Sequence, residues 1–194
     1  MHKGESTRQR IIEQAAPIFN QHGYAGCSMH DVMEATGLEK GGLYRHFSTK
    51  EELAAEAFRY SLSKSMKLRT DNLDRSHGAL QTLRAFIERF VETTTFLRGG
   101  CPLLNTAVDA DDGNPVLREL AREAFRDWRE RLARIVKEGM RSGEIRESAN
   151  PRLIANTIIA ALEGALMMSR LEGNKTALKD AQAALDGVLN CLAR

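Results

Sequence analysis

The most restrictive segment of the chain is residues 28–50, SMHDVMEATGLEKGGLYRHFSTK. Ser28 is a favourable N-cap, and Asp31 stands three residues later in a position that completes a capping box. Gly37 lies where the resulting helix should end, because glycine adopts the left-handed conformation at little cost. A second short helix is predicted over residues 39–45, and a longer helix follows directly. The segment therefore predicts a helix-turn-helix.

The second of these short helices carries two adjacent glycines, Gly41 and Gly42. Each glycine costs a helix about 1 kcal/mol relative to alanine. The compensation comes either from packing by Leu43 and Phe47 or from a partner that approaches the backbone closely. The major groove of DNA is such a partner. Side chains able to bind phosphate are concentrated here, at Lys40, Tyr44, Arg45, His46 and Lys50.

Residues 37–50 resemble the signature of the TetR family of bacterial repressors. The matching positions are Gly37, Leu38, Lys40, Gly41, Leu43, Tyr44, His46, Phe47, Thr49 and Lys50. The preceding segment resembles the first helix of that family, with an apolar stripe formed by Ile11, Ile12, Ala15, Ala16 and Phe19. The resemblance covers residues 1–58.

The chain as a whole is predicted to be all-α, because no segment shows sustained strand alternation. Asn114-Pro115 and Asn150-Pro151 each place a capping residue before a proline at the first helical position. Hydrophobic spacing predicts helices near 5–22, 28–35, 39–45, 49–70, 76–97, 102–110, 115–142, 150–172 and 174–192. The resemblance implies a three-helix DNA-binding domain at 1–48, followed by an effector-binding and dimerisation domain at 49–194, with about nine helices in all.

Several other function classes have no support in the sequence. An enzyme would need a nucleophile with a base, paired carboxylates or a cofactor loop, and none of these patterns is present, so we expect neither catalysis nor a cofactor. Asp109, Asp111 and Asp112 form an acidic cluster that we interpret as a solvated loop, with a bound cation as the alternative; no metal site is predicted. We find neither an apolar run of bilayer length nor a leader pattern, and we expect a cytoplasmic protein.

The resemblance implies which residues contact DNA. The predicted set is Thr7, Arg8, Ser28, His30, Lys40, Gly41, Gly42, Tyr44, Arg45, His46 and Lys50. Lys40 is the first candidate for reading a base, since an ammonium group can serve the acceptors of guanine. Three of these assignments have alternatives: Lys40 is a solvated surface lysine, His46 packs against Phe47, and His30 is a plain residue of the helix surface.

The resemblance also implies an effector pocket built by the helices beyond residue 49. Its expected wall is aromatic and methionine-rich, which favours an apolar or aromatic small molecule. The candidates are Phe58, Leu62, Phe86, Phe90, Phe96, Leu103, Leu104, Phe125, Trp128, Met167 and Met168. Residues at this helical spacing also form ordinary cores, so plain packing remains the alternative for each.

Cys101 is a further candidate on the effector side. The run RGGCPLLN, residues 98–105, resembles a TetR subgroup with a Gly-Cys motif opening its sixth helix. A thiol at a helix N-terminus near Arg98 is placed to favour the reactive thiolate, so Cys101 is either a sensor of oxidants and electrophiles or a small buried packing residue. We interpret Cys27 and Cys191 as packing residues, and three cysteines at these spacings predict no disulfide framework.

The last two predicted helices, 150–172 and 174–192, carry apolar faces rich in small residues. Part of these faces must be core, but together they are suited to a four-helix homodimer interface, which the resemblance implies. Dimerisation also suits DNA recognition, because two half-sites are read where one helix reads only a few base pairs. The predicted function is a repressor that binds a palindromic operator and is released by a small apolar or electrophilic ligand. The alternatives are an activator, or a ligand-binding or structural helical dimer that has lost DNA binding.

Overall fold

The computed structural model describes residues 3–70, 78–93 and 98–194. Over these ranges the chain is helical, apart from one isolated bridge between Ile145 and Ala193, so the all-α prediction is confirmed. The helices of the described residues are α1 (Lys3–Gly26), α2 (Met29–Thr36), α3 (Lys40–Tyr44), α4 (Lys50–Thr70), α5 (Ala79–Thr93), α6 (Pro102–Asp109), α7 (Pro115–Ser142), α8 (Pro151–Glu172) and α9 (Thr176–Asn190). The ends of the helix predicted at 76–97 lie outside the described residues.

The capping signals around α2 act as the sequence predicts. The Ser28 Oγ accepts a hydrogen bond from the Asp31 backbone N–H at 3.2 Å, while the Asp31 carboxylate accepts one from the Ser28 N–H at 2.6 Å. Gly37 closes the helix in the left-handed conformation, with φ of 64°. The capping box and the glycine stop are therefore both confirmed.

The two Asn-Pro pairs also start helices. The Asn114 side chain accepts a hydrogen bond from the Leu117 N–H at 2.8 Å at the start of α7. Asn150 does the same for the backbone N–H groups of Arg152 and Leu153, both at 3.1 Å, at the start of α8. Each asparagine satisfies N–H groups that have no partner inside the helix, so both predicted caps are confirmed.

The chain divides into two compact units, and the first contains residues 1–66 and 97–123. Its main core joins α1, α2 and α3 to the start of α4 through Ile11, Ile12, Ala15, Cys27, Val32, Leu43, Phe47 and Leu53. A backbone kink at Gly23, with φ of 74°, ends the regular part of α1 close to the predicted residue 22. The core holds α3 through Leu43 and Phe47, whose side chains are fully buried.

Helix α6 is attached to α1 within this unit. The Asn20 Nδ2 donates to the carbonyl oxygens of Arg98 at 2.6 Å and Gly100 at 3.1 Å, and the Asn105 Nδ2 donates to that of Gly99 at 2.8 Å. Gly99 has φ of 90°, and a Cβ there would lie 2.5 Å from the Asn20 carbonyl oxygen, so only glycine fits.

A second attachment of α6 uses Asp109. Its Oδ2 accepts a hydrogen bond from the Tyr24 backbone N–H at 2.6 Å, directly after the kink in α1. Asp109, Asp111 and Asp112 are all exposed, in agreement with the solvated interpretation, but Asp109 is the last residue of α6 and its carboxylate also fastens the end of α6 to the end of α1. Among the described residues, no group of three His, Cys, Asp or Glu side chains is placed to hold a metal ion.

The second unit contains residues 67–96 and 124–194. Here α5, α8 and α9 pack against one another, and Phe86, Phe90, Trp128 and Leu132 are buried. The Glu144 carboxylate caps α5 by accepting hydrogen bonds from the N–H groups of Ala79 at 2.6 Å and Leu80 at 2.9 Å. Because the positive end of a helix dipole favours a carboxylate, this cap fixes the start of α5.

None of the three cysteines forms a disulfide. Cys27 is buried in the first unit, as its packing role predicts, and burial raises the pKa of its thiol, with a further increase from Asp31 and an opposing effect of Lys50. Cys191 is exposed, so its assignment as a packing residue was wrong. It lies at the C-cap of α9, just beyond the last helical residue.

Candidate nucleic-acid interface and effector site

The face of α3 that does not contact the core is polar and cationic. Lys40 and Arg45 are exposed, and the Tyr44 side chain is 42% exposed. The Lys40 Nζ lies 5.9 Å from the centre of the Tyr44 ring, which places an ammonium group and a phenol side by side. Such a pair offers hydrogen-bond donors for phosphate and base acceptors.

The two glycines of α3 leave open space beside the backbone. A Cβ on Gly41 would have no heavy atom within 4 Å, and one on Gly42 would meet the Leu38 side chain at 3.6 Å, an ordinary van der Waals distance. Neither glycine has a positive φ. The fold of the described residues therefore does not require glycine at either position.

Two predicted DNA contacts near α3 also have partners inside the first unit. The Lys50 Nζ lies 4.2 Å from the centre of the Tyr24 ring. The Arg8 guanidinium carbon lies 4.6 Å from the centre of the Phe47 ring, and its Nη2 is 3.9 Å from Glu52 and 3.8 Å from Glu56. Arg8 thus joins α1 to α4 and remains only partly exposed.

The residues at the start of α2 are similarly engaged. The Ser28 hydroxyl donates to the Asp31 Oδ2 at 2.8 Å, so its oxygen belongs to the cap. The hydrogen bonds from the Ser28 backbone and then from its side chain hold the pKa of Asp31 below its ordinary value. His30 lies 3.4 Å from Glu34, and both side chains are largely exposed. Thr7 and His46 are half-buried.

Three members of the predicted effector wall meet in the second unit. The rings of Phe90 and Trp128 are nearly parallel, with centres 6.1 Å apart, and the Phe86 ring lies 6.2 Å from Trp128 at a tilt of 58°. All three side chains are buried. We refer to Phe86, Phe90 and Trp128 as the aromatic cluster.

The remaining predicted wall residues lie elsewhere. Phe58, Leu62, Leu103 and Leu104 belong to the first unit, where Phe58 lines a cavity of about 30 Å³, room for one or two water molecules. Phe125 and Met167 are at the surface, with exposed fractions of 37% and 51%, and Met168 is exposed as well. Phe96 lies outside the described residues.

A second cavity, of about 190 Å³, lies in the second unit near the start of α5. None of the predicted wall residues lines it; its lining includes Thr82, Ile135, Glu138 and Glu144. Ligand sites for drug-sized molecules are generally about 300 Å³ or larger. The aromatic cluster therefore consists of predicted wall residues, whereas this cavity is lined by residues outside that prediction.

Cys101 occupies the N-cap position of α6, as the Gly-Cys motif predicts, and Pro102 follows at the first helical position. The residue is buried, with 3% of its surface exposed. The turn before it is held by the Asn20 and Asn105 side chains described above. Burial limits the access of oxidants and electrophiles to the thiol.

Sequence reasoning missed one charged residue at the aromatic cluster. Arg69, in the last turn of α4, is 2% exposed, and its guanidinium carbon lies 4.0 Å from the centre of the Phe90 ring. The signal was present in the spacing of residues 58, 62, 65 and 69, which places Arg69 on the apolar face of α4.

Helix α8 is long and apolar enough to cross a membrane by length and composition, and half of the qualifying segment is buried inside the protein. Core helices of soluble proteins meet the same criterion, so this finding is weak evidence for a membrane span.

Comparisons with known proteins agree on one family. Residues 11–57 match the family described as bacterial regulatory proteins, tetR family, and residues 79–185 match the tetracyclin repressor-like C-terminal domain. The HTH-type transcriptional repressor DhaR of Mycobacterium sp. (strain GP1) is 28% identical over 173 residues, which cover 88% of this chain and 86% of that protein.

Solved structures extend the similarity over the whole fold. A TetR transcriptional regulator from Chloroflexus aurantiacus is 42% identical with a TM-score of 0.94, covering 100% of this chain and 99% of that one. A TetR-family regulator from Cytophaga hutchinsonii is 34% identical with a TM-score of 0.92, covering 100% and 98%. Proteins of this kind regulate transcription and are not enzymes. The chain belongs to the TetR family of DNA-binding transcriptional regulators.

Proposed function

We propose that this regulator is a cytoplasmic repressor that binds a palindromic operator as a homodimer and leaves it when a small ligand binds. The surface of α3 carries the proposal. Gly41 has open space beside it, and Lys40 and Tyr44 flank it with exposed polar groups. The two glycines lower the stability of α3, and the packing of the described residues does not require them. A close approach of DNA to this backbone would explain their presence, because a side chain there would occupy the space that DNA needs.

On this proposal the contacts divide into two kinds. Lys40 reads a base in the major groove, and Arg45 reaches a base or a phosphate. Phosphates are bound from both sides of α3, by Thr7, Arg8, Ser28, His30, Tyr44, His46 and Lys50. Arg8 and Ser28 already have partners within the protein. On this proposal they hold the DNA-binding surface in position as well as contacting phosphates. We retain residues 1–48 as the DNA-binding domain and 49–194 as the effector and dimerisation domain.

The proposed dimer uses α8 and α9. Leu153, Gly164, Met167 and Leu171 follow one another at helical spacing along one face of α8, and Leu171 is 81% exposed. A Cβ on Gly164 would meet nothing within 4 Å, so another helix can approach here. A second copy of the chain fits this face, since TetR-family regulators usually act as dimers.

The proposed ligand site is the interior of the second unit, centred on the aromatic cluster. Three buried rings offer stacking surfaces to a flat apolar molecule. Phe125 and Met167, which are exposed in the single chain, are proposed as outer parts of this site. Cys101 is proposed as a packing residue of α6, with electrophile sensing as the alternative to be tested by Cys101→Ser.

The deciding experiment is a mobility shift with the DNA that flanks the gene, at two salt concentrations. Specific binding that weakens with salt is expected, because phosphate contacts release counterions. Lys40→Ala should weaken binding to the operator most, and Tyr44→Ala should weaken binding to every sequence. Lys137→Ala, an exposed lysine of α7, is the matched control and should change neither.

Two results would contradict parts of the proposal. Unchanged affinity in both α3 variants would remove the contact assignment, and no binding to any fragment would favour a helical dimer that no longer reads DNA. A promoter fusion in a deletion strain separates the roles: higher expression without the protein means a repressor, and lower expression means an activator.

A further inference from the structure

Arg69 is a charged residue in an apolar place. Its side chain lies over the Phe90 ring at 4.0 Å and 5.9 Å from the centre of the Trp128 ring, and 2% of its surface is exposed. A guanidinium group remains charged at any physiological pH, so it cannot lower the cost of burial by losing its proton. Stacking on an aromatic ring recovers only part of that cost.

The hydrogen-bond donors of this group are not all used by the protein. The buried Nη2 of Arg69 has no hydrogen-bond partner. The ion pairs described in the second unit join Arg84 to Asp186 and Arg194 to Glu147, and neither includes Arg69. Buried polar groups are normally hydrogen-bonded, so this donor requires an explanation.

A second buried donor in the same cluster also has no hydrogen-bond partner. The Nε1 of Trp128 is buried and makes no hydrogen bond. The Arg69 guanidinium carbon lies 5.9 Å from the centre of the Trp128 ring, so the two donors belong to neighbouring side chains. Two donors and three aromatic rings thus meet in one place, and the complementary chemistry is a negatively charged oxygen on a flat apolar body.

We propose that the effector of this regulator carries a carboxylate, which Arg69 and Trp128 bind while its aromatic part stacks within the cluster of Phe86 and Phe90. The proposal rests on the proposed function, since it assigns chemistry to the ligand that releases DNA. Arg69 is then kept for binding and not for stability, because buried charges without partners generally destabilise a fold.

The test measures whether the protein prefers an acid to its neutral amide. The probes are benzoate and 2-naphthoate, each compared with its carboxamide by isothermal titration calorimetry. At least one acid should bind the wild type tenfold or more tightly than its amide, a difference of about 1.4 kcal/mol. Trp128 is the only tryptophan of the sequence, so 5-fluorotryptophan labelling gives a single ¹⁹F resonance, which should shift with the acid.

Two variants locate the preference. Arg69→Met should reduce the ratio of acid to amide affinity to about one, and Trp128→Phe should lower it while keeping a ring in place. Arg141→Met is the matched control, because Arg141 is an exposed arginine in the last turn of α7 that belongs neither to the cluster nor to the outer parts of the proposed site. It should keep the wild-type ratio.

The thermal midpoint of Arg69→Met provides a readout independent of any ligand. It should equal or exceed that of the wild type, whereas a large decrease would mark Arg69 as a structural residue and overturn the proposal. The proposal would also be overturned if neither benzoate nor 2-naphthoate bound more tightly than its carboxamide. The same holds if the preference for the acid were unchanged in Arg69→Met. Operator binding by the ligand-free protein keeps the two proposals apart: if DNA is bound but acids are not preferred, only the effector assignment fails.

Discussion

Replacing Gly41 by alanine should stabilise the protein and impair its binding to DNA at the same time. A Cβ at this position meets nothing within 4 Å, and the residue has no positive φ, so the methyl group fits without strain. Alanine is favoured over glycine in a helix by about 0.5–1 kcal/mol. For a chain of this size that gain corresponds to about 1–4 °C in the thermal midpoint.

The expected loss in DNA binding follows from the same open space. If α3 lies in the major groove, the added methyl group occupies volume that a base edge or a phosphate needs. We expect operator affinity to fall about tenfold, or ~1.4 kcal/mol. The thermal midpoint is measured by circular dichroism at 222 nm, and affinity by mobility shift on the same preparation.

The matched control is Ser63→Ala in α4, an exposed position outside the proposed DNA and dimer surfaces where alanine is also the better helix former. It should stabilise the protein similarly without changing operator affinity, and sedimentation should show the same oligomer for both variants. A Gly41→Ala protein that binds the operator as well as the wild type would refute the close approach of DNA to this helix. A lower midpoint would refute the claim that the glycine is unnecessary for folding.

Three further predictions concern the cap, the dimer face and the thiols. The pKa of Asp31 is lowered in the folded protein, so its contribution to stability is complete above the ordinary value of 3.8 and is lost as the pH falls through the lower folded-state value. The difference in thermal midpoint between wild type and Asp31→Asn should therefore be constant near neutral pH and shrink below about pH 4. Leu171→Glu should shift the protein from dimer to monomer in sedimentation, because a charge on an 81% exposed apolar face opposes its burial against a second copy; an unchanged dimer would exclude this face. With a thiol reagent at neutral pH, the exposed Cys191 should react first and the buried Cys27 only on unfolding, as mass spectrometry of the labelled peptides would show.

Features fixed by neighbouring residues were predictable from the sequence. The capping pair Ser28 and Asp31, the stop at Gly37 and the starts at Asn114 and Asn150 all depend on contacts within a few positions. The fold class and most helix ends followed from such signals together with apolar spacing. These signals do not depend on how the helices are arranged.

Contacts between distant positions could not be predicted in this way. Asp109 meets the Tyr24 N–H from 85 residues away, and Glu144 caps α5 across 65 residues. Periodicity also identifies an apolar face without saying what covers it: Phe86 is buried in the unit, whereas Met167 on a similar stripe is exposed. Arg69 shows the converse, since a charged residue on an apolar stripe is assigned to the surface by composition alone.

The attachment of α6 to α1 has a consequence for building chimeric regulators. Cutting the chain at residue 48 separates Asn20 from the Gly99 turn and Tyr24 from Asp109, although all four belong to the same compact unit. A DNA-binding domain of residues 1–48 that is fused to another effector domain would lose these hydrogen bonds. The fusion would need to include residues 98–123 as well. The same discontinuity means that, during synthesis on the ribosome, this unit is completed only after residue 123 has emerged.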